Sequence, residues 1–180
     1  MNDKKTDTGS FQEKEIWFAQ THLDKQLAKE ERDHEKLIRF AAAWKKAAER
    51  SGNKELMRLS KMAKMAGNIA YYDDKLPPVA NDSELEALFR EVAVSNSALR
   101  GSKHFQYTAR QFRNKGYVDG MLTQVTKGCG GPMFVELCEL GLGKSSAEMM
   151  VWTHVRDRLD EKTAAKLEDL LLEKGLIQKG

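Results

Sequence analysis

The chain has 180 residues, the size of one ordinary domain or of one domain with a helical extension. Its composition is 32% charged and 41% hydrophobic, with only 3 prolines, 13 glycines and a formal net charge of +3. This excludes collagen-like and proline-rich disordered chains and favours a mostly helical protein. No apolar stretch approaches the roughly 18 to 20 residues of a membrane span, and the polar start lacks a secretory signal. We therefore expect a cytoplasmic protein with no membrane partner.

The small net charge hides a strong segregation of charge along the chain. Residues 35–71 carry nine basic and three acidic side chains, and residues 99–127 carry six and one. The block between them, residues 72–98, carries two basic and six acidic side chains. Clustered cations create a local potential that the net charge averages away, which indicates an anionic partner. The alternative is that lysine-rich helix faces are simply solvated.

The N-terminal part predicts a flexible tail at residues 1–10 followed by a long helix. Residues 11–50 contain no proline or glycine, and apolar side chains occupy seven of ten positions that alternate steps of three and four. Such a seam predicts an extended helix that packs along a partner, either in a homodimer or in a helical hairpin. A break near Arg32-Asp33, which would give two ordinary helices, is the alternative.

A second helix is predicted over about 54–71, with Asn53 as its cap. At 100° per residue its cations share one arc, and the apolar residues lie on the opposite side. We call the cations the first basic face: Lys54, Arg58, Lys61 and Lys64. The expected buried side consists of Leu56, Leu59, Ala63, Ala66 and Ala70. Residues 11–75 are thus interpreted as a long helix plus a basic helix, a candidate dimerisation arm.

Residues 76–180 are expected to form a compact helical domain. Ser83 and Glu86 have the spacing of a capping box, in which each side chain satisfies the other's backbone amide, and a third helix follows to about Leu99. A turn at Gly101 leads to a fourth helix over about 103–115. Residues 117–125 fit either a short helix or a loop, and three further helices are predicted over 132–140, 145–159 and 161–175. Because no segment alternates like a strand, the fold class is predicted to be all-α.

The fourth helix carries the residues that we consider most informative about function. Its inward side is expected to hold Phe105, Ala109 and Phe112. Its outward side, which we call the second basic face, consists of Lys103, Gln106, Tyr107, Arg110 and Arg113. Lysine and arginine neutralise phosphates, glutamine and arginine hydrogen-bond base edges, and tyrosine stacks on bases or donates to phosphate. Arg100, just before the turn, adds a further cation.

A helix, a glycine-containing turn and a second helix also outline a helix-turn-helix. With Gly101 as the turn glycine, Asn96, Arg100 and Arg110 fall where the usual motif requires buried apolar residues. The standard motif therefore fails, and a divergent helix-turn-helix or another helical reader remains. A merely polar outer face and a face that binds an acidic protein are the alternatives for this segment.

Other candidate sites carry weaker signals. Gly141–Ser146 departs from the phosphate-binding loop pattern, because Cys138 stands at its first glycine position and a helix rather than a strand precedes it. The two cysteines and four histidines lack zinc-site spacing, so no metal or cofactor is predicted. Cys138 is expected to be a buried, reduced thiol. Cys129 with His104 or His154 is a conceivable nucleophilic pair, but no orienting acid accompanies it, and we predict that the protein is not an enzyme.

The sequence thus predicts a DNA-binding, or more generally nucleic-acid-binding, protein with a regulatory or accessory role. The first basic face would capture phosphates, and the second would add groove contacts. Two alternatives stay open. One is an adaptor or inhibitor that docks an acidic protein through the long helix and the basic faces. The other is a small helical enzyme that uses Cys129.

Overall fold

The computed structural model describes residues 8–80, 82–101 and 105–178. All regular secondary structure within these ranges is helical, which confirms the all-α class. No helix in the described ranges is both long enough and apolar enough to cross a membrane. The chain divides into two compact units between Ala70 and Tyr71, inside one helix, whereas the sequence placed this boundary after residue 75.

The first unit contains α1 (Thr8–Leu27), α2 (His34–Ser51) and most of α3 (Lys54–Lys75). The extended helix predicted over 11–50 is therefore wrong, and the alternative break near Arg32-Asp33 is correct. Asp33 leaves the helical conformation at φ −76° and ψ 89°, and its Oδ1 accepts the backbone N–H of Lys36 at 2.9 Å. An aspartate that satisfies a first-turn amide starts a new helix. The predicted tail is shorter as well, because α1 already includes residues 8–10; residues 1–7 lie outside the described ranges.

The predicted apolar seam is buried inside this unit by the unit's own helices. Leu23, Leu37, Ala41, Trp44 and Ala48 join a core to which α3 contributes Leu56, Leu59, Ala63 and Ala66. Ala70, which was expected on the buried side of α3, is exposed. Because this core already covers the seam, the argument that a second copy must cover it no longer holds, and homodimerisation stays an untested prediction.

The second unit is built from six helices: α4 (Glu84–Arg100), α5 (Phe105–Lys115), α6 (Tyr117–Gly128), α7 (Pro132–Glu139), α8 (Ala147–Val155) and α9 (Glu161–Glu173). The undecided segment 117–125 is helical, and single 3₁₀ turns flank α8, so the helix predicted over 145–159 is shorter than expected. Helix α6 packs against α4, α5 and α8, and α8 also packs against α9. The unit thus centres on α6, whose Tyr117, Met121 and Val125 are buried.

The capping box predicted at α4 is only half present. Ser83 accepts the backbone N–H of Glu86 at 3.3 Å, as expected. The Glu86 carboxylate, however, accepts the backbone N–H groups of Tyr117 at 2.6 Å and Val118 at 3.2 Å. Since α6 begins after Gly116 with no side-chain cap of its own, Glu86 provides from α4 the acceptors that the first turn of α6 requires.

The connector before α4 is held by hydrogen bonds from α4 and from the first residue of α6. The Arg90 guanidinium on α4 donates to the Asp73 carboxylate, to the Asp73 carbonyl at 2.7 Å and to the Pro77 carbonyl at 3.1 Å. The Tyr117 hydroxyl also donates to the Pro77 carbonyl. The start of α6, helix α4 and the connector are therefore held by one group of polar contacts.

Replacing Glu86 should weaken the contact between α4 and the start of α6. We expect Glu86→Ala to lower the free energy of unfolding by about 1–3 kcal/mol, because two amides of α6 lose their acceptors. Glu86→Gln, which keeps one neutral acceptor, should cost less. The measurement is urea denaturation followed by circular dichroism. Glu84→Ala, an exposed first-turn acid of the same helix, is the matched control, and equal losses for Glu84→Ala and Glu86→Ala would contradict the role of Glu86.

Candidate nucleic-acid interface

The first basic face lies on α3, but only part of it is available to a ligand. Lys54 and Lys64 are exposed. Arg58 donates to both carboxylate oxygens of Glu55, the closest pair of atoms being Nη2 and Oε1 at 2.7 Å. This hydrogen bonding raises the pKa of Arg58 and lowers the pKa of Glu55. Lys61 is half-buried and also interacts within the chain. The prediction that all four cations project from one side of the helix therefore holds for Lys54 and Lys64 and not for Arg58 and Lys61.

The second basic face lies on α5 and has the two-sided arrangement expected from the sequence. Ala109 and Phe112 are buried, and Phe105 is half-buried. The opposite side is exposed along the whole helix and consists of Gln106, Tyr107, Arg110 and Arg113. Lys103, the remaining member, lies outside the described residues. Arg100, the last residue of α4, is exposed as well.

The arginines at or next to this face have no acidic partner among the described residues. Helix α5 contains no acidic residue, and the one acid of α6, Asp119, is paired with Arg158 at 2.6 Å. Among the described residues, no hydrogen bond or ion pair engages the side chains of Arg100, Arg110 or Arg113. Their guanidinium donors are thus available to an external anion, which distinguishes this face from the one on α3.

A cavity of about 500 Å³ opens beside the second basic face, with walls from α4, α5, α6, α7 and α8. Arg100 and Tyr107 line it, and they are the two predicted site residues that the structure brings together there. Sequence analysis did not identify its other polar side chains as site residues; these are Asn96, Ser97, Thr108, Gln111, Gln124, Lys127 and Glu148. These residues come from four helices, so no local motif links them. Arg110 and Arg113 are not among the lining residues and belong to the open surface of α5.

Glu148 is the most unusual side chain of the cavity. It is only 8% exposed, and its Oε1 accepts the backbone N–H of Gly130 at 3.1 Å. Burial raises the pKa of this carboxyl above its usual range, because desolvation disfavours the charged form. One sequence signal could have identified it, since Glu148 is the only acid in a helix otherwise rich in apolar residues.

The expected failure of the standard helix-turn-helix is also visible. Gly101 follows α4 with φ 86° and ψ −172°. Arg100 and Arg110 are exposed, although the usual motif would bury the residues at these positions. Asn96 is half-buried, with its Oδ1 enclosed. A divergent helix-turn-helix therefore stays a hypothesis without structural support.

The structure adds little support for the remaining candidate sites. Cys129 and Cys138 are free, and both are half-buried rather than fully buried as expected for Cys138. Burial raises the pKa of the Cys138 thiol. His104 lies outside the described residues, and His154 is exposed with its ring against Phe89. In the described part of the chain, no group of three His, Cys, Asp or Glu side chains is arranged to hold a metal ion.

Comparison of the chain with protein families, with curated proteins and with solved structures gave no match. The functional argument therefore depends on the two features of the second unit described above. One is an exposed helix face with unneutralised arginines, and the other is the polar cavity beside it.

The raised pKa of Glu148 predicts how stability depends on pH. Between the usual carboxyl value and the raised folded value, the unfolded chain loses its proton first, so the unfolding free energy falls as pH rises through this window. Glu148→Gln should remove this fall, and its advantage over the wild type should grow from acid pH toward neutrality. Urea denaturation at a series of pH values measures the difference. Glu139→Gln, an exposed acid on α7, is the control, and parallel curves for wild type and Glu148→Gln would contradict the assignment.

Proposed function

We propose that the protein binds nucleic acid, with DNA as the expected form, through the second basic face. The observation that carries this proposal is the set of exposed α5 side chains, which includes two arginines that pair with no acid in the described ranges. Arginine donates two parallel hydrogen bonds to phosphate, and its guanidinium stacks on bases. A regulatory or accessory role, for example in transcription, replication or transfer control, is the role that we propose for this binding.

The spacing of the side chains supports contact with a strand. Arg110 and Arg113 are three residues apart, and Gln106 lies one turn before Arg110, so the three project from neighbouring positions of one face. Tyr107 is 69% exposed, which is unusual for a large aromatic ring on a small protein and suits stacking on a base. Phosphate capture and base contact are thus combined on one short helix.

The first basic face has a smaller role in this proposal. Lys54 and Lys64 are exposed and can neutralise phosphates, whereas Arg58 would have to exchange its contacts with Glu55 for contacts with a ligand. An ion pair at the surface contributes little stability, so replacing the Glu55 contact of Arg58 by a phosphate contact costs little free energy. For the same reason, the replacement adds little affinity. We therefore expect the α5 variants to affect binding more than the α3 variants.

The salt dependence of binding tests the proposal. Fluorescence anisotropy of labelled duplex and single-stranded DNA is measured between 50 and 200 mM salt with the wild type and with Arg110→Ala/Arg113→Ala. Each phosphate contact contributes about 0.9 to the slope of log affinity against log salt on duplex DNA and about 0.7 on single strands. The double variant should therefore flatten the slope by about 1.8 on duplex DNA or about 1.4 on single strands.

Two controls make the result specific. Lys162→Ala/Lys166→Ala removes the same charge from exposed positions on α9, also in the second unit, and should change the slope little. Arg110→Lys/Arg113→Lys keeps the charge and should retain most of the slope. The proposal is overturned if the α5 and α9 alanine pairs behave alike, or if the wild type binds neither DNA nor RNA at moderate salt.

A protein partner is the second candidate, and one observation favours it. Trp17 is 69% exposed and Phe18 is 52% exposed on α1, so two large apolar side chains lie side by side on the surface of the first unit. Aromatic residues are enriched at the centres of protein interfaces. Absence of DNA and RNA binding, together with a change in elution mass on Trp17→Ala/Phe18→Ser, would support an adaptor or a homodimer instead.

A further inference from the structure

The cavity between α4 and α8 has the size and lining of a small-molecule site. Its volume of about 500 Å³ is within the range of ligand pockets, which is about 300–1,000 Å³. Phe112, Met121, Val125 and Phe134 line it and are almost fully buried, so they provide an apolar wall. The polar lining groups then decide which ligand fits.

The interior of the cavity contains two buried groups that can accept hydrogen bonds from a ligand. The Asn96 Oδ1 atom is buried and has no partner among the described residues. The Glu148 carboxylate is buried too; its Oε1 accepts the Gly130 N–H, and it forms no ion pair with a described residue, so it can accept further hydrogen bonds. A buried acceptor without a donor is costly, and a ligand that brings N–H groups removes this cost. The interior therefore suits a ligand with an amino group, which brings two N–H donors where an imino group brings one.

The amide groups of Gln111 and Gln124 donate to acceptors other than the Asn96 Oδ1 atom. The Gln111 Nε2 atom donates to the Gly120 carbonyl at 3.0 Å, and the Gln124 Nε2 atom lies 3.4 Å from the Gln111 Oε1 atom. These contacts hold both side chains in place along one wall. The arrangement is a pre-formed polar wall, which a rigid planar ligand exploits at low entropic cost.

The rim of the cavity, unlike its interior, carries positively charged donors. Arg100 and Lys127 line the cavity and are exposed, and in the described ranges neither side chain has an ion-pair partner. Tyr107, also at the rim, is exposed. A ligand for this site thus has N–H donors on an inner planar part and negative charge on an outer part. A nucleotide has this distribution.

We propose that the cavity accepts one unpaired nucleotide whose base carries an exocyclic amino group. The base lies inside, with its N–H groups toward Asn96 and Glu148, and the phosphate lies beside Arg100 and Lys127. Adenine, cytosine and guanine carry such an amino group, and thymine and uracil do not. This inference rests on the proposed nucleic-acid binding, because Tyr107 of the second basic face lines the cavity together with Arg100. The nucleotide is either free or part of a single strand.

The test compares single-stranded probes that differ in one base. Anisotropy is measured with labelled dT12 and with dT12 that carries one central dG, dA or dC. We expect at least one amino-bearing base to raise the affinity about tenfold over dT12, the discrimination typical of well-placed base contacts. The affinity ratio should fall to about one in Asn96→Ala and be clearly reduced in Glu148→Gln, which keeps one neutral acceptor. It should be retained in Glu139→Gln, whose residue is exposed and does not line the cavity.

The outcomes separate this inference from the proposed function. If the wild type binds dT12 and shows no preference for any amino-bearing base, the cavity is not a base site, while nucleic-acid binding stands. If Arg110→Ala/Arg113→Ala weakens all probes and keeps the ratio, the basic face and the cavity act separately, as proposed. Retention of the ratio in both folded cavity variants, verified by thermal melting, also overturns the inference.

Free nucleotides distinguish the two sources of the ligand. Calorimetry with GMP, AMP, CMP and UMP shows whether the cavity accepts a nucleotide outside a strand. Binding of an amino-bearing nucleotide but not of UMP, clearly weakened in Glu148→Gln, supports a free-nucleotide site even if dT12 is not bound. Absence of binding to every mononucleotide and of any preference among the strands overturns the inference.

Discussion

The second unit depends on one carboxylate, that of Glu86, which holds the start of α6 from a neighbouring helix. The first backbone N–H groups of a helix have no partner within it, and α6 starts at Gly116 with no side chain to cap it. Glu86 satisfies two of these groups, and Arg90 and Tyr117 fasten the connector at Pro77 beside them. Only Gly116 separates the end of α5 from the start of α6, so these contacts lie at the junction of the two helices.

The different states of the two basic faces follow from their local sequences. On α3, Glu55 lies three residues before Arg58, a spacing at which oppositely charged side chains meet on a helix. On α5, no acid occurs between Phe105 and Lys115, so the arginines have no such partner. A count of cations treats both helices alike. The position of each acid relative to each cation decides which of them can attract an external phosphate.

Sequence periodicity predicted which side of an individual helix is buried. It did not predict the contacts between helices that are distant in the sequence. The buried Phe112 and the exposed Arg110 follow from helical spacing alone, as does the cap at Ser83. The sequence indicated the break before α2 only as an alternative. Asp33 is a local signal for a helix start, but the apolar seam continues past it. The contact of Glu86 with Tyr117 spans 31 residues, and the cavity draws on five helices. No local pattern encodes such pairings.

The position of the cavity beside α5 bears on the form of nucleic acid. In a duplex, the amino groups of the bases are engaged in pairing, and extruding a nucleotide costs a few kcal/mol. A single strand presents its bases without this cost, and its phosphates can still reach Arg110 and Arg113. Tyr107 lines the cavity and is mostly exposed, so its ring is accessible both from the open face of α5 and from the cavity. The combination of unneutralised arginines with an acceptor-rich cavity thus fits unpaired strands better than continuous duplex.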